Sequence, residues 1–175
     1  MLVRALVVAS GLWVMAVMFA PLAIASRQPV LSLAAAGVYS AGARVCHQRP
    51  DRCFSIHGRP MPVCARCTGL YFSAAIAAPL ALFWASRLSS RRARLVAAMA
   101  ALPTLVTWGT EIAGLAHPSN TTRAIAALPL GFAAAWLVIA TLPRGPRPHH
   151  EDDHGHTDHK APGRDRGSGP SVRMP

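Results

Sequence analysis

Four long apolar runs decide what this chain can fold into. Ala5–Ala25, Thr68–Ser86, Leu95–Leu115 and Ala124–Leu142 carry almost no charge, Glu111 being the one acid among them. Each is about 20 residues long, enough for a helix to cross a hydrocarbon core of about 30 Å. Inside a bilayer, every backbone N–H and C=O must be bonded within the segment, so such runs are read as α-helices. Pro103 and Gly109 in the third run, and Pro129 and Gly131 in the fourth, are tolerable there because neighbouring helices satisfy the freed groups. The expected class is therefore all-α: an integral membrane bundle of about four transmembrane helices over residues 1–142. Its spans fall near 5–25, 68–86, 95–115 and 124–142, with a Cys/His-containing loop over 44–67. The first run has a rival reading as a cleaved signal peptide, with Arg4 in front and Ala23-Ile24-Ala25 before Ser26. Val30–Ala43 is apolar but too short to span, and reads as an interfacial, re-entrant or bundle-packed helix.

Charge sets the partner and the orientation. The formal net charge is +11, yet only 14% of the residues are charged, against about 25% in a soluble domain. Residues 1–142 hold twelve Arg, no Lys and two acids, Asp51 and Glu111. These arginines punctuate apolar runs and make no continuous basic face, so the expected partner is the lipid bilayer and not nucleic acid. A membrane protein partner is a further possibility under a scaffold reading. Arg87, Arg91, Arg92 and Arg94 lie between the second and third runs with no acid among them, which places that turn in the cytoplasm. Arg4, Arg144 and Arg147 agree. The chain is then a multi-pass protein of the plasma (inner) membrane, with the Cys/His loop outside and the C-terminal tail inside. Against this, residues 27–67 carry six Arg and one Asp.

All four cysteines sit in that loop, as Cys46, Cys53, Cys64 and Cys67. Cys64-Ala65-Arg66-Cys67 is a C-x-x-C pair, which lets two thiolates approach one metal from a tight turn. Cys46 would be a third ligand of a tetrahedral zinc or iron site. His47, Cys53 or His57 would be the fourth. Adjacent residues rarely both ligate, so His47 also reads as a group that orients a ligand. A second reading is thiol–disulfide chemistry with Cys64 and Cys67 as the catalytic pair. Cys67 lies where the second span begins, and the helix dipole and Arg66 both favour a thiolate there. The arrangement resembles the layout of quinone-linked disulfide-forming membrane enzymes, which implies Cys46 and Cys53 as the shuttle pair and a quinone as the oxidant. A third reading is a staple that pins the loop and does no chemistry.

Glu111 is a lone acid in a membrane span, and such groups are costly unless paired. Arg123 is its natural partner, with Asn120 or Ser119 capping the helix that follows. If four spans alternate, this turn shares a membrane face with the Cys loop. Arg52, Arg66, Glu111, Asn120 and Arg123 then form a second polar constellation. Residues 143–175 change in character: Pro, Gly, Ser, His and charge dominate, which reads as a disordered tail. The run His149–His159 mixes imidazole and carboxylate, a set that holds zinc, nickel or copper weakly, or is merely polar. No Gly-rich phosphate loop, H-E-x-x-H or G-x-S-x-G is present, so no soluble-enzyme motif assigns an activity.

The signature Cys46-His47-Gln48, with Arg52 and Phe54, then Pro62-Val63-Cys64-Ala65-Arg66-Cys67-Thr68-Gly69-Leu70-Tyr71, resembles an uncharacterised family of small bacterial integral membrane proteins, a domain of unknown function. Ser119-Asn120-x-x-Arg123 and Gly131 resemble its second block. The resemblance implies a membrane protein whose marked residues are Cys46, His47, Cys64 and Cys67. It implies Ser at the position of Cys53, and an Asp-Gly pair near Trp108-Gly109 that this chain lacks. It supplies no reaction. The functional expectation is an integral membrane protein with a metal-binding Cys/His loop; a thiol–disulfide oxidoreductase and a non-catalytic scaffold or assembly factor are the alternatives.

Overall fold

A computed structural model describes residues 1–84 and 88–142. The His-rich tail expected over 143–175 lies outside the described residues. Five helices follow one another: α1 (Leu2–Ala25), α2 (Pro29–Ala43), α3 (Ala65–Trp84), α4 (Ser90–Ile112) and α5 (Asn120–Thr141). The all-α class stands. Four of these helices, all but α2, are long and apolar enough to cross a membrane. Large side chains such as Leu12, Phe19, Ile76, Met99 and Leu105 face outward from them, which suits a lipid environment. Each of the four carries an interior proline: Pro21, Pro79, Pro103 and Pro129.

α4 starts before the third apolar run. Ser89 caps it by accepting from the Arg92 N–H, so Arg91, Arg92 and Arg94 belong to a helical turn and not to a loop. It ends at a glycine. Gly114 has φ +68, its N–H donates to the Glu111 carbonyl, and the Leu115 N–H donates to the Thr110 carbonyl. This is the Schellman arrangement, which needs a residue at ease in the left-handed region. Glu111 is thereby placed in the last turn of α4.

The closest helix pair is α3 with α5. Gly69, Ser73, Ala77 and Ala81 are buried at four-residue intervals along α3, a ridge of small side chains that lets two backbones approach. A Cβ added at Gly69 would collide with the Ala124 carbonyl of α5. One added at Gly131 of α5 would collide with the Leu70 carbonyl and the Ser73 hydroxyl. α4 is held to α5 partly by the Thr104 hydroxyl, which donates to the Ala126 carbonyl at 2.8 Å.

The segment between α2 and α3 is ordered by small devices. Pro50–Arg52 forms one 3-10 turn. Ser55–Ile56 (β1) and Arg59–Pro60 (β2) pair antiparallel, Ser55 facing Pro60. The turn between them is His57-Gly58, both with positive φ, which matches the twist of a two-residue hairpin.

Candidate metal centre and its arginine cavity

Three sulfurs meet at the start of α3. The Cys46, Cys64 and Cys67 Sγ atoms all lie within 4.8 Å of one another. Cys64 precedes the helix, and its carbonyl accepts from the Thr68 N–H at 2.9 Å and the Thr68 hydroxyl at 3.1 Å. Cys67 is one turn on. Cys46 comes from beyond α2, where its N–H donates to the Gly42 carbonyl, and its sulfur accepts the Cys64 N–H at 3.2 Å. An apolar floor of Val17, Met61 and Val63, with Trp13 and Tyr71 against it, backs the sulfurs. Trp13 and Tyr71 meet edge to face, centroids 6.0 Å apart.

The thiol environments differ. The hydrogen bond from the Cys67 thiol brings Cys64 down to about 5, outweighing the opposing effect of burial; the Cys67 N–H, the Cys46 thiol and the Arg66 N–H act with it. The hydrogen bonding thus favours the thiolate at Cys64 over the one at Cys67. Burial, helped by the neighbouring Cys46 and Cys64 sulfurs and by Asp51, pushes Cys53 up to about 11. Cys53 is buried and stands outside the three-sulfur group. So do the other two suggested fourth ligands: His57 is exposed at the hairpin tip, and His47 lines the adjoining cavity.

Gln48 has a role the sequence reading did not assign. Its backbone is left-handed, φ +48. Its side-chain amide donates to the Tyr39 carbonyl of α2 and to the Pro62 carbonyl, both at 2.7 Å. This clamp holds the segment bearing Cys46 against the one that leads into Cys64. No spacing rule would single it out; its place beside Cys46-His47 in the signature was the only cue.

Beside the thiols, one carboxylate gathers three guanidiniums. Glu111 Oε1 lies 3.0 Å from Arg52 and 2.9 Å from Arg123, and Oε2 lies 2.8 Å from Arg66. The Glu111 side chain is only 7% exposed, so it is a charge that would be costly alone. Asn120 ties the knot to the loop: its oxygen accepts from Arg123 at 2.9 Å, and its amide donates to the Cys53 carbonyl at 3.0 Å. The structure therefore brings Arg52, Arg66, Glu111, Asn120 and Arg123 together, from the loop and three helices. A cavity of about 170 Å³ opens between the knot and the thiols, lined by His47, Arg49, Arg52, Cys64, Arg66, Trp108 and Arg123.

These features define a membrane protein with a three-thiol cluster walled by an arginine–carboxylate knot. The chain belongs to the family described as "Predicted membrane protein (DUF2085)", matched over residues 46–137, a stretch that holds every residue of both constellations. An uncharacterized protein of Methanothermobacter thermautotrophicus is 32% identical over 93 residues, covering 53% of this chain and 83% of that protein. An uncharacterized protein of Methanocaldococcus jannaschii is 30% identical over 104 residues, covering 58% of this chain and 66% of that one. Both are archaeal proteins, so similarity of this kind is not confined to bacteria. No solved structure matches the chain.

Proposed function

We propose that this membrane protein binds one zinc or iron ion through Cys46, Cys64 and Cys67, with the fourth position facing the arginine cavity. The convergence of three thiols from two separate segments carries this reading. A tetrahedral ion with metal–sulfur bonds of about 2.3 Å sets its sulfurs about 3.8 Å apart. The three sulfurs, all within 4.8 Å of one another, reach that spacing with small side-chain movements. The N–H of Cys64 on the Cys46 sulfur is the kind of outer contact that orients a thiolate ligand. Three protein ligands plus a free position is the pattern of zinc sites that act on a bound molecule.

Detergent-purified protein is expected to carry about one equivalent of metal, lost in Cys64→Ser and in Cys67→Ser. The metal competes with protons for its ligands. Cys64, already held towards the thiolate by its hydrogen bonds, yields the fewest protons on binding, and metal occupancy should fall as the pH is lowered because protons compete for all three sulfurs. Substoichiometric metal, together with a Cys64–Cys67 disulfide in cells, would instead establish the redox reading. The low pKa of Cys64 in a C-x-x-C pair favours that second reading. In it the Cys64 thiolate and the Cys67 thiol give two electrons to a quinone as their disulfide forms; Cys67 releases one proton, and the second that the quinol takes up comes from water. The third sulfur, already committed to the same group, favours the metal.

Arg87 together with Arg91, Arg92 and Arg94 of the first turns of α4 supports an extracytoplasmic position for the thiol loop in a plasma membrane. Ser55 is exposed on the hairpin. Labelling a Ser55→Cys variant in intact cells with a membrane-impermeant maleimide checks this, provided the native cysteines are unreactive in the parent. Labelling only after permeabilisation would reverse the orientation.

A further inference from the structure

We propose that the arginine cavity is a binding site for a phosphate-class oxyanion. The knot holds more positive charge than it neutralises. Four guanidiniums line the cavity, those of Arg49, Arg52, Arg66 and Arg123, and their carboxylate partners are two, Asp51 and Glu111. That leaves positive charge in excess even with the Cys64 thiolate on the same wall, the complement of an anion.

The donors are in excess as well. After Glu111 has accepted from three arginines, the buried Nε atoms of Arg66 and Arg123 have no hydrogen-bond partner, and that of Arg52 faces only Asp51, at 3.7 Å. Arg123 is 8% exposed and still lines the cavity. An unsatisfied charged donor at that depth is expensive. A fork of N–H donors on a planar cation suits the oxygens of a phosphate group. The cavity has the right scale: about 170 Å³ accommodates about five non-hydrogen atoms at a water molecule's share of about 30 Å³ each. Glu111 has a positioning role here. It gathers three guanidiniums that would otherwise repel, and leaves the Nε donors of Arg66 and Arg123 without a partner.

A free phosphate and the phosphate of an anionic lipid headgroup share this chemistry. The test therefore has two arms on the full chain. In detergent without phospholipid, inorganic phosphate is titrated at constant ionic strength against chloride, read by calorimetry. In nanodiscs, retention of phosphatidate over phosphatidylcholine is read by native mass spectrometry. Arg49→Gln and Arg52→Gln are compared with the parent. Arg49 is exposed and pairs with Asp51, so its loss leaves the knot intact; it should weaken binding about threefold. Arg52→Gln should weaken it about tenfold, the effect of one charged hydrogen bond. Saturable phosphate binding weakened in this order supports a free ligand. Phosphatidate retention weakened in this order, with no phosphate response, supports the headgroup. No response in either arm, or responses that both variants leave unchanged, overturns the proposal. Metal content is measured on the same samples, so failure of the metal reading shows separately.

Discussion

Leucine in place of Gly131 is expected to take α3 and α5 apart. Any side chain there enters space held by the Leu70 carbonyl and the Ser73 hydroxyl. Backbone cannot yield as a side-chain tip can, so the helices must separate by a large part of a side chain's width. Close packing is what drives helix association in lipid, where water no longer does. Separation also moves Arg123, about two turns before position 131 on α5, away from Arg66 on α3. The arginine knot is therefore lost with the helix pair: the chain should fail to purify as a monodisperse species, or purify with a lower melting temperature. Gly37 is a control, since nothing lies within 4 Å of a Cβ added there, and Gly37→Ala should leave yield and melting temperature unchanged. A Gly131→Leu protein with the parent's melting temperature would show that α3 and α5 do not cross this closely.

The second large effect is expected at Glu111. Removing its carboxylate leaves Arg52, Arg66 and Arg123 facing one another, each having lost the acceptor at 2.8–3.0 Å. Breaking a buried pair by deleting one partner costs about 3–5 kcal/mol, most of it from the charge left unpaired. Here three charges are left by one deletion, so Glu111→Ala should lie at the top of that range. Glu111→Asp keeps the charge but shortens the reach, and should recover only part of the loss. Unfolding by titrated denaturing detergent reads the order: parent, Asp, Ala. An Ala variant as stable as the parent would mean that the guanidiniums are neutralised by something other than Glu111.

The membrane bundle was legible because its cause is one-dimensional. A run of apolar residues about 20 long declares itself without knowledge of any neighbour, and all four such runs are helices in the structure. Helix ends were less legible. The expected third span began at Leu95, but α4 begins at Ser90, since a capping serine and helix-tolerant arginines extend the helix past its apolar part. Packing depended on a pattern of small residues. The spacing of Gly69, Ser73, Ala77 and Ala81 was present to be read, but smallness signals a contact only once a partner is known.

The site divides in the same way. Glu111 stood out as an acid in an apolar run, and Arg123 lies near it in sequence. That Arg52 and Arg66 would reach the same carboxylate depends on the path of the loop. That path is set by the Gln48 clamp and the left-handed turn at His57-Gly58, neither of which follows from hydropathy. The fourth metal ligand stayed open in the sequence for a physical reason. His47, Cys53 and His57 are all chemically suitable, and only the fold separates them: one lines the cavity, one is buried outside the group, and one is at an exposed tip.

The first turn of α3 faces two ways, with Cys64 and Cys67 in the sulfur group and Arg66 in the knot. The residues of these two groups emerge from the ribosome at different times. By the end of that turn all three thiols have been made, whereas Glu111 and Arg123 belong to helices still to be synthesised. Domains are built from the N-terminus at about 5–20 residues per second, so for several seconds the sulfurs exist without the wall that closes over them. On the metal reading, the order of synthesis would give an incoming ion an open route to the sulfurs, before α5, the last of the described helices, carries Asn120 and Arg123 into place.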